Sequence, residues 1–454
     1  MVRRSHAVLS FGITVSASLG FEPGHEQVES ELNGALIRYL SESDREKRRA
    51  LSDEIENLAS GSADRIATAL ADAKLWAPLP KSGAFNFETA SAGAVSAAWQ
   101  LSDDYDPAVE HPSLFCPAAT ERPQATIERA RAAFGEALGG FVVVAFEPPV
   151  AGSFHQSPAA SGDFRKLLRE VRRRFHTDTD RLYVFGSGED GDAAWILAMT
   201  HPDCFAGAVM INGLPPVPYP SQTYDLLVRN LENVPVLTIW ERADGRDPQS
   251  RGYRVAAHNR GIVEIARRQN VPVTGVELPP VGGGSGPALK LGEQAAMDIL
   301  GHSRATRGNV SHWFRYPDQG HAAWLHQTEF RGDVWTAPQL SILVPPGADW
   351  NEFITGVLRE KLAYIGGSVV GNSFDVVTRR SAGIEVELTP TLIDFSKPVS
   401  ITCNGLERFN GTVSPSISTM LESAYQTLDL KRLVWARKSL DVRTDSAEPT
   451  RPGK

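Results

Sequence analysis

Cysteine is scarce: Cys116, Cys204 and Cys403 are the three in 454 residues. They lie far apart without metal-ligand spacing, so buried thiols are expected rather than a disulfide framework or a cysteine zinc site. A basic excess is also missing, since 46 Lys and Arg stand against 54 Asp and Glu for a net charge of −8. That balance argues against a nucleic-acid-binding face. Beyond the N-terminus no continuous apolar stretch is long enough for a membrane span. What remains is the composition of a soluble, mildly acidic globular protein with 42% apolar residues, large enough for a sizeable core and more than one domain.

The chain opens Met1-Val2-Arg3-Arg4 and continues with a serine-interrupted apolar run from Ala7 to Phe21. Residues 1–28 thus have the shape of a signal peptide with cleavage near Ala17, which predicts export to the periplasm or medium. The other reading is a leader on a cytoplasmic protein. Residues 29–80 are charged, alanine-rich and helical in period, with Leu36, Ile37, Leu40, Leu51, Ile55 and Leu58 as core positions. Over 94–305 strand and helix alternate, which predicts an α/β domain with a mostly parallel sheet covered on both faces. Its helix from Asp163 to Phe175 ends in Arg172, Arg173 and Arg174, expected as a solvated face. From 309 to 444 β-branched and aromatic residues recur at period two, with a hairpin signal at Asn404-Gly405 and one late helix near Ser416 to Leu428. This predicts a β-rich C-terminal domain, and 445–454 a disordered tail.

The most informative segment is Asp180 to Gly207, DRLYVFGSGEDGDAAWILAMTHPDCFAG. Leu182, Val184 and Phe185 make a short buried strand, Gly186 to Gly191 a tight turn, and Ala193, Ala194, Trp195, Leu197 and Ala198 recur at helical spacing. The segment resembles the α/β-hydrolase superfamily, in particular its secreted bacterial esterase and prolyl-oligopeptidase-like branches. There, such a strand runs into Gly-x-Ser-x-Gly-Gly, then Ala-Ala-Trp, then His-Pro-Asp-x-Phe-Ala-Gly. The resemblance implies a hydrolase-like sheet flanked by helices, here with a helical N-terminal module and an appended β domain. Laid on the pattern, Gly186 is the first glycine, Gly191 the last, and Gly188 falls where the nucleophilic serine belongs. Gly186-x-Gly188-x-x-Gly191 also spells a dinucleotide fingerprint, but Glu189 and Asp190 would face the pyrophosphate, and no acidic residue ends the next strand.

The other catalytic positions depart as well. Asp244 matches the triad acid by position but, standing before Gly245, also reads as a turn residue, and Asp247 nearby could serve equally. The histidine position falls on Gly283. Gly320-His321 offers a substitute, but 77 residues separate Asp244 from His321 (321 − 244), and Trp313, Phe314, Trp324 and Leu325 predict a hairpin that makes His321 a loop residue. Where the resemblance implies an oxyanion loop after the strand Ser113 to Phe115, the chain has Cys116-Pro117-Ala118-Ala119-Thr120, and Pro117 removes a donor. A degenerate triad at Gly188, Asp244 and Gly283 is therefore expected. It implies a pseudoenzyme with a binding, scaffolding or regulatory role toward a small-molecule, peptide or protein ligand, and no cofactor. The alternative is an active serine esterase or peptidase-like hydrolase using Ser187, Asp244 or Asp247, and His321. A third reading has Glu189, Asp190 and Asp192 hold a divalent cation, against simple helix capping.

Overall fold

The computed structural model describes residues 23–73, 75–90, 93–148, 162–214, 217, 220–242, 247, 249–279, 293–304, 308–333 and 342–443. Most of the leader, the acid position Asp244, the glycine-rich stretch with Gly283 and the C-terminal tail lie outside the described residues. Among the described residues no helix is long and apolar enough to cross a membrane.

Three helices come first: α1 (Pro23–Ser41), α2 (Arg45–Leu58) and α3 (Ala63–Ala71). Asp44 and Ser62 cap the second and third by accepting backbone N–H bonds that a first turn leaves open. Leu32, Leu36, Leu40, Ile55, Ile66 and Leu70 form their buried stripe. Ile37, expected in that stripe, is 37% exposed, because it sits one helical step round from Leu36.

The chain then builds β1 (Ser82–Thr89), β2 (Gly93–Gln100), β3 (His111–Pro117), α4 (Pro123–Phe134), β4 (Val142–Phe146), α5 (Asp163–Arg174) and β5 (Thr177–Ser187). It continues with α6 (Glu189–Thr200), β6 (Gly207–Ile211), α7 (Pro220–Leu227), β7 (Val236–Glu241), α8 (Arg251–Gln269), β8 (Val273–Leu278) and α9 (Glu293–Leu300). The eight strands form one sheet in the order β1-β2-β4-β3-β5-β6-β7-β8. β2 runs antiparallel to both neighbours and every later pair is parallel. Parallel strands buried on both faces need apolar residues throughout, as β4 and β6 have. Leu182 and Val184 point into one core with α5, α6 and α8; Tyr183 and Phe185 point into the other with α4 and α9.

The C-terminal part holds β9 (Val310–Phe314), β10 (His321–Ala322), β11 (Leu325–Phe330), α10 (Trp350–Lys361), β12 (Ala363–Val370) and β13 (Ser373–Arg379). β14 (Ser381–Leu388), β15 (Val399–Cys403), β16 (Leu406–Gly411), α11 (Ile417–Thr427) and β17 (Ala436–Asp441) complete it. A four-stranded sheet, β10-β11-β14-β17, packs with a five-stranded one, β16-β15-β13-β12-β9, around one core. Asn404 and Gly405 join β15 to β16 with φ of 50° and 80°, as a two-residue hairpin of opposite-handed turn requires.

Two expectations are corrected. The hairpin predicted through Trp313, Phe314, Trp324 and Leu325 does not form: β9 pairs with β12, and β11 pairs with β10 and β14 in the other sheet. Arg172 is not on a solvated face but 5% exposed. Its guanidinium donates to Thr427 O at 2.9 Å and lies 3.9 Å from Asp429. The reason is α11, which packs on α1, α2 and α3 in a shared core and also touches α5. An arginine facing such a seam finds carbonyls and a carboxylate in place of water.

Candidate functional site

The turn from β5 into α6 leaves Gly188 alone at its apex, with φ 65° and ψ −125°. Glycine adopts that conformation readily, while any other residue is strained there. Gly188 N donates to Ile211 O at 2.8 Å and its carbonyl accepts from Asp192 N at 3.1 Å. A Cβ on Gly186 would overlap the carbonyl of Asp190 and stand 2.6 Å from Gly191 N. A Cβ on Gly191 would stand 3.1 Å from Gly213 Cα. At Gly188 it would meet nothing within 4 Å. The backbone of a nucleophile turn is thus present, with open space where a nucleophile would project.

The carboxylates around the turn have partners of their own. Asp190 is 1% exposed and accepts from Ala119 N at 2.7 Å and Arg129 Nη1 at 2.9 Å. Burial pushes its carboxyl above the usual range, with those partners acting against the shift. Ala119 lies in the loop after β3, where an oxyanion donor is expected, so a carboxylate already occupies its N–H. Asp192 accepts from Leu214 N and from Arg251 Nη2, the latter at 2.9 Å. The two acids therefore point to separate arginines and clamp the loops on either side of the turn. This overturns the cation reading of Glu189, Asp190 and Asp192.

Helix α6 carries the chain back across the sheet, its 12 residues spanning ~18 Å. At its far end stand His201 and Asp203. Arg165 of α5 donates to both oxygens of Asp203 at 3.0 Å, and His321 Nδ1 lies 2.8 Å from Asp203 Oδ2. Strand pairing sets His321 opposite His326 and His326 opposite Glu385. Glu387, two residues on, shares their face and lies diagonal to His326. The His321 and His326 ring centroids are 3.4 Å apart, and His326 Nε2 is 3.6 Å from Glu387 Oε2. Glu387 also meets Arg437 Nη2 at 3.2 Å.

Electrostatics keep most of this cluster in fixed protonation states. Burial pushes the Asp203 carboxyl up, but Arg165 and His321 outweigh it and hold it well below its usual value. Burial pushes His321 and His326 down, and takes His201 to about 3 and His312 to about 4. Burial raises Glu387 to about 7 against the pull of Arg437. The imidazoles are neutral at pH 7, with nitrogen lone pairs for an acceptor or ligand role.

One eight-stranded, mostly parallel sheet, a glycine-lined turn from its central strand and helices on both faces decide the fold. The fold is that of the α/β hydrolases. No protein-family model matches the hydrolase-fold chain. Over 101 residues it is 35% identical to "Putative esterase NocK" from Nocardia uniformis subsp. tsuyamanensis, covering 22% of this chain and 28% of that protein. The chain thus spans well under a third of that relative's length. Among solved structures, it is 13% identical to a feruloyl esterase module from Clostridium thermocellum (TM-score 0.40, 52% of this chain and 94% of that one). It is 15% identical to an S-formylglutathione hydrolase from Agrobacterium tumefaciens (TM-score 0.39, 48% and 95%). Likeness at that level carries no weight for function.

The Ser187 and His321 of the alternative triad are not brought together: they stand at opposite ends of α6. His321 is not a free loop residue either but half of a strand pair docked on Asp203. Asp247 caps a turn, accepting from Gln249 N at 2.9 Å. Asp244 and Gly283 lie outside the described residues. Sequence reasoning missed Arg165, Asp203, His326 and Glu387. The signal for them was two histidines, His321 and His326, in one short β segment, and the His-Pro-Asp run after α6. Neither says which surfaces meet.

Proposed function

We propose that this hydrolase-like chain has lost serine-hydrolase catalysis and acts as a pseudoenzyme, binding, scaffolding or regulating a small-molecule, peptide or protein ligand. Gly188 at the apex of the turn carries the reading, because glycine brings no nucleophile to the one position that the turn presents. The engagement of Ala119 N–H by Asp190 supports it from the oxyanion side, since a donor bonded to a carboxylate does not stabilise a second anion. Ser187 precedes the apex and belongs to β5, paired with Ile211, so its side chain follows the strand.

Labelling the purified full-length chain with a fluorophosphonate probe, beside Ser187→Ala, tests this. The expected result is no labelling of either protein, each shown to be folded by its melting curve. Labelling of the unmutated chain that vanishes in Ser187→Ala restores the serine-hydrolase reading.

A further inference from the structure

We propose that His321, His326 and Glu387 bind a divalent transition-metal ion of the zinc class. One nitrogen from each ring and one carboxylate oxygen lie within 4.8 Å of one another. His326 Nε2 is buried and has no hydrogen-bond partner. Its 3.6 Å separation from Glu387 Oε2 exceeds a hydrogen bond. Bonds of ~2.0–2.2 Å to zinc set neighbouring tetrahedral ligands ~3.4 Å apart, which is close to that separation. A bridging cation accounts for what is otherwise an unpartnered nitrogen beside a buried carboxylate.

The surroundings fit an ion of this type. Two imidazoles and one carboxylate suit zinc and its neighbours better than calcium or magnesium, which take oxygen. Asp203, 2.8 Å from His321 Nδ1, leaves Nε2 as the ligand nitrogen, the orientation that a supporting carboxylate gives a metal-bound histidine. Arg165 and Arg437 approach the cluster, but Asp203, Glu385 and Glu387 pair with them. His321, Glu387 and Asp203 also line a cavity of about 180 Å³ between the hydrolase-fold and β-rich parts, so a coordination position remains for water or a ligand. Because all three ligands sit on one face of the sheet, on β10, β11 and β14, the site is held by β pairing and does not depend on the turn at Gly188.

Zinc titration of the chelator-stripped full-length chain, in competition with a chromophoric chelator, is expected to show one ion bound at this site. Cobalt in its place is expected to give the strong visible bands of a tetrahedral complex. Glu387→Gln and His326→Ala are expected to weaken binding at this site at least ~10-fold, since even supporting residues contribute that much. In the unmutated chain, zinc is expected to protect His321 and His326 from diethyl pyrocarbonate, mapped by peptide mass spectrometry. Absence of stoichiometric uptake, full modification of both histidines in the zinc-loaded chain, or unchanged binding by a folded variant overturns the site.

Discussion

Asp429→Asn lowers the stability of the folded chain by about 3 kcal/mol at pH 7, the loss expected when one partner of a buried ion pair is removed. Asp429 is 7% exposed. Its carboxylate accepts from Thr179 Oγ1 of β5 at 2.8 Å and from Arg304 Nη2, and lies 3.9 Å from Arg172. It thereby ties the segment after α11 to the parallel sheet and to α5. Asparagine keeps the shape but leaves two buried guanidinium groups facing a neutral amide, with Asp180 at 3.3 Å as the remaining acid for Arg304. Urea unfolding followed by fluorescence reads the change.

The pH dependence fixes the sign. Burial pushes the Asp429 carboxyl up, but Arg304 and Arg172 more than offset it, so it sits well below the usual carboxylate range. A depressed folded pKa contributes stability that is fully present above the unfolded value of ~4 and is lost as pH falls toward the folded one. The difference between the unmutated chain and Asp429→Asn is therefore constant from pH 7 to about 5 and narrows below about 4. Asp394 is a control. Its carboxyl is also depressed, by Lys397 and Ser396, but the pair is exposed and solvent-screened, so Asp394→Asn leaves the unfolding midpoint in place. Equal losses from both substitutions would contradict the burial argument.

How far the sequence reveals this molecule depends on the range of the interactions involved. The parallel strands are legible because β4 and β6 are apolar throughout, a local property. Asn404-Gly405 is legible because its turn is decided by two residues. β1 is missed: Ser82 to Thr89 lies at the sheet edge and alternates in exposure, but two of its four inward positions hold Gly83 and Thr89, so its apolar signal is short. α11 is legible as a helix, yet its docking on α1, α2 and α3 is not, since its period does not say which surface receives it. The same limit hides Arg172, whose arginine run reads as solvated until α11 arrives. It also hides the cluster at His321, where Asp203 and Glu387, 184 positions apart (387 − 203), meet through contacts that no spacing encodes. The glycine at the apex of the turn, Gly188, is by contrast legible because a strand, a turn and a helix are contiguous in the chain.

Gly186→Ala tests that contiguous turn directly and is expected to cost about 3 kcal/mol or more, at the upper end of overpacking effects. The added Cβ overlaps the carbonyl of Asp190 and stands 2.6 Å from Gly191 N. These are backbone atoms of the first turn of α6, so no side chain can swing away. Relief requires α6 to move, and α6 is buried along almost its whole length, with Trp195 fully enclosed. Shifting it disturbs the bonds of Asp190 to Ala119 and of Asp192 to Leu214 at the same time. Gly188→Ala separates close approach from conformation. There the Cβ has open space, and the cost is the strain of φ 65° and ψ −125° alone, about 1–3 kcal/mol. Denaturant midpoints of the two variants measured side by side check the order. If Gly188→Ala proves the more damaging, the turn is not held as described: the apex is then crowded, and the open space above Gly188 does not exist in the folded chain.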